Sequence, residues 1–165
     1  MRAEGVVALM RRLRSEGVVA WLDGGWAVDA LLGRQTREHS DVDLVLDRDA
    51  VGRVRSMLEA DGYVLLRDEL PASVAYGHPE TGDEVDLHPL RLTRDGGGDQ
   101  QYGDGRPPWH YGAPVPGVVG GEVVPCCDLD TQLRAHVGYD PRPVDHADMA
   151  ALRERFGCDL PDPYG

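Results

Sequence analysis

Acidic side chains alternate along one short stretch of the sequence, and their spacing suits the binding of a divalent cation. Asp41 and Asp43 lie two residues apart, so that on a β-strand both carboxylates project from the same face. Two like charges this close repel each other unless a cation or a shared proton lies between them. Because both groups offer only oxygen, the pair favours Mg²⁺. The alternative interpretation is a solvated strand edge in an acidic chain.

A second alternating stretch contains Glu84, Asp86 and His88, which share one face of a predicted strand. If this strand lies beside the first, Asp86 completes a set of three carboxylates with Asp41 and Asp43. Such a set around two metal ions suits phosphoryl or nucleotidyl transfer, in which one carboxylate takes the proton of the acceptor hydroxyl. For Glu84 and His88 we favour a structural role, since the histidine stands at a strand end before a proline.

Two adjacent glycines, Gly24 and Gly25, follow a short apolar run and precede a predicted helix. Backbone N–H groups at such a turn can approach a phosphate closely, because no side chain intervenes and the helix N-terminus favours an anion. A double glycine after a strand is by itself more often only a tight turn. The pair is therefore a candidate phosphate site that needs support from the rest of the chain.

Composition excludes several classes of function. The 165 residues suit one domain, and 17 basic against 29 acidic residues give a formal net charge of −12. This charge disfavours a nucleic acid partner, whose phosphates require a basic surface, and suits a cationic ligand. The chain has no lysine, which excludes Schiff-base chemistry and a P-loop lysine. The three cysteines form no C-x-x-C pair, which argues against zinc and against a disulfide scaffold.

Hydrophobic spacing predicts the elements that position these candidates. Helices are predicted over residues 4–16, 26–32, 49–60, 128–137 and 145–156, and strands over residues 18–22, 41–47, 63–67, 72–77 and 84–92. They indicate an α/β (α+β) fold in one domain, residues 1–165, with a mixed β-sheet flanked by helices, a core of about residues 1–93 and a C-terminal helical part, residues 128–157. Residues 94–121 show no sustained period, and we expect a loop that forms a lid or a ligand wall.

No early apolar run is long enough for a signal peptide or a membrane span. We therefore expect a cytoplasmic protein with no membrane partner.

The order of the chemical motifs resembles that of a known superfamily. Gly24 and Gly25, then Asp41 and Asp43, then Asp86 in a later strand are similar to the signature of nucleotidyltransferases with the DNA polymerase β-like fold. The resemblance implies that fold for the whole mixed sheet.

Longer strings narrow the resemblance to the small antibiotic nucleotidyltransferases. The strings WLDGGWAVDALLG at residues 21–33 and TREHSDVDL at residues 36–44 look most like those of lincosamide nucleotidyltransferases, and next like those of aminoglycoside 2''-nucleotidyltransferases. In the C-terminal half, DLHP at residues 86–89 and DHAD at residues 145–148 are also similar to the lincosamide type. The likeness thus spans nearly the whole chain.

The resemblance implies transfer of a nucleoside monophosphate, AMP from ATP, to a hydroxyl of a small cationic antibiotic, most closely a lincosamide, with pyrophosphate leaving. It implies that Asp41, Asp43 and Asp86 are catalytic residues that hold Mg²⁺, with Asp86 also the candidate base. An aminoglycoside or another natural product is the alternative acceptor, and a non-catalytic nucleotide-binding relative is the alternative from another class. A homodimer is compatible with the resemblance.

By the same resemblance, Gly24 and Gly25 bind the triphosphate of the nucleotide. Arg37 and His39 are weaker candidates for neutralising its charge. Arg37 fits a surface charge equally well, and His39 fits a turn residue that orders the carboxylates after it. We expect Asp29 to buttress the glycine turn rather than to touch substrate.

Overall fold

The computed structural model describes all residues from 1 to 165 and consists of five α-helices and a nine-stranded mixed sheet. The helices α1 to α5 span Ala3–Ser15, Gly24–Leu32, Val51–Ala60, Leu129–Ala135 and Pro143–Phe156, with a short 3-10 helix at Arg48–Ala50 before α3. The strands β1 to β9 span Ala20–Asp23, Asp41–Asp47, Val64–Glu69, Ser73–Gly77, Glu84–Leu92, Gly98–Gln100, Trp109–Tyr111, Val115–Val119 and Glu122–Cys126.

Strands β2 and β5 lie side by side in the middle of the sheet, whose order is β3-β4-β5-β2-β1-β9-β8, while β6 pairs with β5 and β7 with β6. The β2 and β5 pair is parallel and in register along the whole of β2, with Asp43 opposite Asp86. Strand β1 runs antiparallel to β2 on its other side and places Asp23 opposite Asp43. Three carboxylates, on β1, β2 and β5, therefore form one row across the sheet.

The alternation predicted for β2 and β5 is present in the structure. In β2 the side chains of Val42 and Leu44 are fully buried, whereas Asp41 is exposed and Asp43 is half-buried. Strand β5 repeats the pattern, because its apolar positions face the core. One face of this strand pair thus belongs to the core, and the other carries the acidic side chains.

The C-terminal helices pack on α2 and so lie close to the glycine turn at its N-terminus. Val28 of α2 is fully buried against Met149 and Leu152 of α5, and Leu129 and Leu133 of α4 pack against this cluster. This apolar contact fixes the polar faces of α4 and α5 beside the row of carboxylates. None of the five helices combines the length and the hydrophobicity that crossing a membrane requires.

The prediction of a loop over residues 94–121 was wrong, since this segment contains the strands β6, β7 and β8. These strands have only three to five residues and contain glycine and proline, so their local pattern carries no period. Two of them nevertheless pair with neighbours along the chain: β6 forms a hairpin with β5, and β8 forms a hairpin with β9 across Gly120 and Gly121. Two glycines between short apolar runs are a hairpin signal, which was missed together with strand β9. Strand β9 also pairs in parallel with β1.

The predicted helix over residues 49–60 also differs in its first turn. Residues 48–50 form a 3-10 helix before α3, and the cap lies two residues earlier than the expected Asp49: the carboxylate of Asp47 accepts a hydrogen bond from the backbone N–H of Asp49. The predicted cap of α4 is confirmed, because the Asp128 side chain accepts from the backbone N–H of Thr131 at 2.6 Å. Cys126 and Cys127 are buried free thiols, as expected.

Candidate active site

The row of carboxylates brings together Asp43, Asp86 and His88. One ligand atom from each of these side chains lies within 4.8 Å of the other two. Asp41 projects from the same face of β2 but stands at its exposed end, opposite Glu84, and is outside this group. Of the three carboxylates named from the sequence, the structure thus brings Asp43 and Asp86 together, while Asp41 lies beside Asp43 on the wall of a cleft that Asp86 does not line.

One carboxylate oxygen of Asp86 has a hydrogen-bond partner, and the other has none. Its Oδ2 accepts a hydrogen bond from Nη2 of Arg67 on β3 at 2.7 Å. Its Oδ1 is buried and has no hydrogen-bond partner. Burial raises the pKa of Asp86 above its ordinary value, against the positive charges of His88 and Arg67 and together with the negative charge of Asp43. A buried acceptor without a partner is costly unless a ligand satisfies it.

The structural role favoured for His88 from the sequence stays a prediction, while the structure places its side chain on the wall of the cleft. Its Nε2 lies 3.2 Å from Oδ1 of Asp43, and its Nδ1 lies 3.2 Å from Nε2 of Gln100 on β6. Burial acts to lower the pKa of His88, but the hydrogen bond and the charge of Asp43 outweigh it, and the net direction is upward. The period of two, which places His88 on the face of Asp86, was the signal that could have identified it.

The glycine turn is shaped by the close approach of neighbouring side chains. Gly24 has φ +56°, in the left-handed region, and a Cβ there would overlap Oδ2 of Asp43. A Cβ on Gly25 would overlap the guanidinium of Arg37 and lie 2.8 Å from the ring of His39. Because neither glycine has a side chain, Asp43, Arg37 and His39 can approach the backbone of the turn, which has no room for a Cβ.

Arg37 and His39 both approach Gly25, but they differ in their partners and in their exposure to the cleft. The guanidinium of Arg37 lines the cleft, where Asp148 of α5 accepts its hydrogen bonds at 3.0 and 3.3 Å. His39 is buried and does not line the cleft; its Nε2 lies 2.6 Å from Oδ2 of Asp29. Asp29 also accepts hydrogen bonds from the backbone and the hydroxyl of Thr36. Asp29 thus supports the glycine turn through His39, whose ring lies close to Gly25, as expected for Asp29.

Asp23, the third member of the row, is held by two neutral donors. The hydroxyl of Tyr111 on β7 donates to its Oδ2 at 3.1 Å, and Nε2 of Gln132 on α4 donates to its Oδ1 at 2.8 Å. All three side chains are buried. These two hydrogen bonds connect β7 and α4 to the row, and neither hydrogen bond was predicted from the sequence. Asp23 adjoins the predicted glycine pair, but no local pattern indicates that a carboxylate at this position has distant donors.

The cleft in front of the row has a volume of about 340 Å³ and is strongly acidic. Its two arginines are already paired, Arg37 with Asp148 and Arg142 with Asp145. No arginine pairs with Asp43, and Asp41 makes no hydrogen bond or ion pair. The negative charge that remains on these two carboxylates suits a bound cation. The cleft is walled by Asp23, Gly24, Gly25, Arg37, Ser40, Asp41, Asp43, His88, Gln132, Ala135, His136, Tyr139, Arg142, Val144, Asp145 and Asp148.

Two solved structures with the same fold are of antibiotic nucleotidyltransferases. The crystal structure of the lincosamide antibiotic adenylyltransferase LnuA with bound lincomycin superposes with a TM-score of 0.81 at 30% sequence identity, over 91% of this chain and 95% of that chain. ANT(2'')-Ia in complex with adenylyl-2''-tobramycin has the same fold, with a TM-score of 0.70 at 20% identity over 94% of this chain and 89% of that chain. The fold and the arrangement of the site define a nucleotidyltransferase.

Sequence comparison places the chain more narrowly. The family model described as aminoglycoside-2''-adenylyltransferase matches residues 5–152, and the chain belongs to this family. A lincosamide resistance protein of Staphylococcus haemolyticus is 34% identical over 141 residues, which are 82% of this chain and 84% of that protein. A 2''-aminoglycoside nucleotidyltransferase of Klebsiella pneumoniae is 39% identical over a shorter match of 66 residues, 39% of this chain and 34% of that protein. The family expected from the motifs is confirmed.

Proposed function

We propose that the chain is an Mg²⁺-dependent O-nucleotidyltransferase that transfers AMP from ATP to a hydroxyl of a lincosamide antibiotic and releases pyrophosphate. The observation that carries this proposal is the pair of carboxylates Asp43 and Asp86 in register on adjacent parallel strands, with Asp43 against the turn at Gly24. The relatives with the most extensive similarity described above, a lincosamide resistance protein and a lincosamide adenylyltransferase, support this choice of acceptor.

The residues of the row fit a divalent cation. Asp43 and Asp86 offer carboxylate oxygens within 4.8 Å of each other, and Oδ1 of Asp86 is a buried acceptor without a partner. Asp41 adds an exposed carboxylate on the same strand face. These three side chains would hold Mg²⁺, which binds to one or two carboxylates together with the phosphates of a substrate. When bound, the ion stabilises the charge that develops on the phosphate oxygens during transfer.

The glycine turn and Arg37 bind the triphosphate. Gly24 and Gly25 open helix α2, so their backbone N–H groups face an anion without an intervening side chain, and the helix N-terminus favours negative charge. Arg37 adds a guanidinium on the cleft wall, which Asp148 holds in place. His39 supports the turn through its contact with Asp29 and does not meet the phosphates.

Asp86 is the candidate base of the reaction. The acceptor oxygen attacks the α-phosphorus, the bond from this phosphorus to the bridging oxygen of the β-phosphate breaks, and the hydroxyl proton passes to the carboxylate. The raised pKa of Asp86 favours proton uptake relative to an exposed carboxylate. The surplus negative charge of the cleft favours an acceptor that carries an amine, and lincosamides do so.

A mass-spectrometric acceptor screen tests this proposal. The protein is incubated with Mg²⁺, each of the four nucleoside triphosphates in turn, and lincomycin or clindamycin, with Asp43→Asn as the matched control. We expect a product heavier than the antibiotic by one AMP, formed with ATP by the unmodified protein and not by the variant. The absence of an adduct with every lincosamide and every aminoglycoside would refute the assignment.

An aminoglycoside is the second candidate acceptor, because the family model that matches residues 5–152 is described by that activity. Its amines also suit the acidic cleft. The same screen includes tobramycin, and adenylylation of tobramycin at a higher kcat/KM than lincomycin would favour this second function.

A further inference from the structure

His88 raises a question about the metal site, because an imidazole beside two carboxylates is a common third ligand for transition metals. A nitrogen ligand favours Zn²⁺, Co²⁺ or Ni²⁺, whereas a set of oxygen ligands favours Mg²⁺. The ring can coordinate through Nε2, the atom that faces Asp43, only if that nitrogen carries no proton. The position of the ring proton therefore decides which metal the site prefers.

The side-chain amide of Gln100 settles where the proton lies. The amide is buried, and the atom that faces the backbone carbonyl oxygen of Ala72 lies 2.7 Å from it. A carbonyl oxygen only accepts, so this atom is the amide nitrogen, and rotating the amide by half a turn would bring two oxygens together. The hydroxyl of Tyr102, at 3.2 Å, donates to the oxygen on the other side of the amide.

The same amide nitrogen lies 3.2 Å from Nδ1 of His88. Its first hydrogen is donated to Ala72 and its second to the imidazole, so Nδ1 is an acceptor and carries no proton when the ring is neutral. The single ring proton is then on Nε2, and it is donated to Oδ1 of Asp43 at 3.2 Å. A continuous chain of hydrogen bonds thus runs from Tyr102 through Gln100 and His88 to Asp43.

We propose that Gln100 is a specificity-determining residue for the metal: it holds His88 as a donor to Asp43 and so keeps the imidazole out of metal coordination. The ligands that remain are the carboxylates, an all-oxygen set that suits Mg²⁺. His88 is then a positioning residue, which fixes Oδ1 of Asp43 and leaves its Oδ2 toward Gly24. The metal preference rests on the proposed function, whereas the position of the ring proton does not.

The substitution Gln100→Glu tests this proposal, because it should reverse the position of the ring proton. In Gln100→Glu the carboxylate cannot donate, so it loses the hydrogen bond to Ala72 and can only accept from Nδ1, which moves the ring proton to Nδ1 and frees the lone pair of Nε2. A carboxylate behind a histidine is the usual support of a metal-bound imidazole, and such partners change metal affinity by about 10 to 100-fold. Gln101→Glu is the matched control, because it adds the same charge one residue away.

The first experiment is ¹⁵N NMR of the imidazoles in the metal-free protein at alkaline pH, where the rings are neutral, with the His88→Gln variant to assign the signal. We expect Nε2 of His88 to be protonated in the unmodified protein and in Gln101→Glu, and Nδ1 to be protonated in Gln100→Glu. A proton on Nδ1 in the unmodified protein would overturn the proposal, whether or not the enzyme transfers AMP to any acceptor.

The second experiment is calorimetric titration of the same three proteins with Zn²⁺ and with Mg²⁺. We expect Zn²⁺ binding to become about 10 to 100-fold tighter in Gln100→Glu alone, with little change for Mg²⁺. An equal gain in Gln101→Glu would show that added charge, and not the ring proton, sets the affinity, and would overturn the role of Gln100. If the acceptor screen fails while both results hold, the proposed function is wrong and the inference about Gln100 stands.

Discussion

Replacing Gly24 by alanine tests the link between the glycine turn and the metal carboxylates. The backbone at this position has φ +56°, and an alanine there costs about 1–2 kcal/mol. The new Cβ would overlap Oδ2 of Asp43 and lie 3.0 Å from its carboxyl carbon, whereas ordinary contact begins at 3.4 Å. The Asp43 carboxylate must therefore retreat by about 1 Å, a displacement that lowers catalytic rates by about 100-fold.

Gly33→Ala is the matched control for this prediction. Gly33 has φ +71° at the C-terminal end of α2, and a Cβ there meets no atom within 4 Å. Both variants therefore bear the same backbone cost, which lowers the Tm by about 2–8 °C in a chain of this size. Calorimetric melting and the rate of AMP transfer to lincomycin are measured for both. Equal activity of the two variants would refute the claim that Gly24 makes room for Asp43.

Three further variants probe charges around the cleft. Asp43→Asn removes the negative charge that we assign to the metal, so we expect loss of metal-dependent turnover with an unchanged melting curve; normal turnover would contradict the assignment. Arg37→Met leaves the buried Asp148 without its donor, which costs about 1.5–3 kcal/mol in urea unfolding and raises the KM for ATP. Adding Asp148→Asn to Arg37→Met should restore stability but not the KM for ATP. Recovery of both would show that Arg37 does not bind the phosphates. Burial acts to raise the pKa of Asp145, but hydrogen bonds from the side chain and backbone of Arg142 outweigh it and hold the pKa below its ordinary value. Its stabilising effect is therefore complete above about pH 4 and lost at lower pH, so the stability difference between the protein and Asp145→Asn should shrink on acidification. A difference that stays constant with pH would contradict this.

The two central strands could be predicted residue by residue, but their pairing could not. Residues 41–47 and 84–92 are strands as expected, because alternation between apolar and acidic residues is a local signal. Alternation shows which face each side chain occupies and leaves the register open. The register decides that Asp43, and not Asp41, lies opposite Asp86. The sequence thus identified the carboxylates and their common face, while their spatial grouping came only from the structure.

The segment of residues 94–121 could not be interpreted correctly from its sequence, and it contributes to the site. Its strands are short, and neither Gln100 nor Tyr111 carries a local sign of its role, because their side chains bond to His88 and Asp23 on other strands. The role of His88 was only partly predictable from the sequence. Its face was predictable from the period of two, but its function depends on a hydrogen bond from a strand that the pattern does not show.

The neutral donors of this segment have an electrostatic consequence for the row of carboxylates. A chain with 29 acidic residues and no lysine could hold its buried acids with arginine, as it does at Asp148 and Asp145. An arginine on Asp23 or Asp43 would cancel the charge that a metal ion needs. The hydroxyl of Tyr111, which lies in this segment, fixes Oδ2 of Asp23 and leaves its negative charge in place. In the row only Asp86 is paired with an arginine, Arg67. The segment predicted to be a lid is therefore better understood as a support, which orients Asp23 directly and Asp43 through Gln100 and His88 without placing an arginine on either.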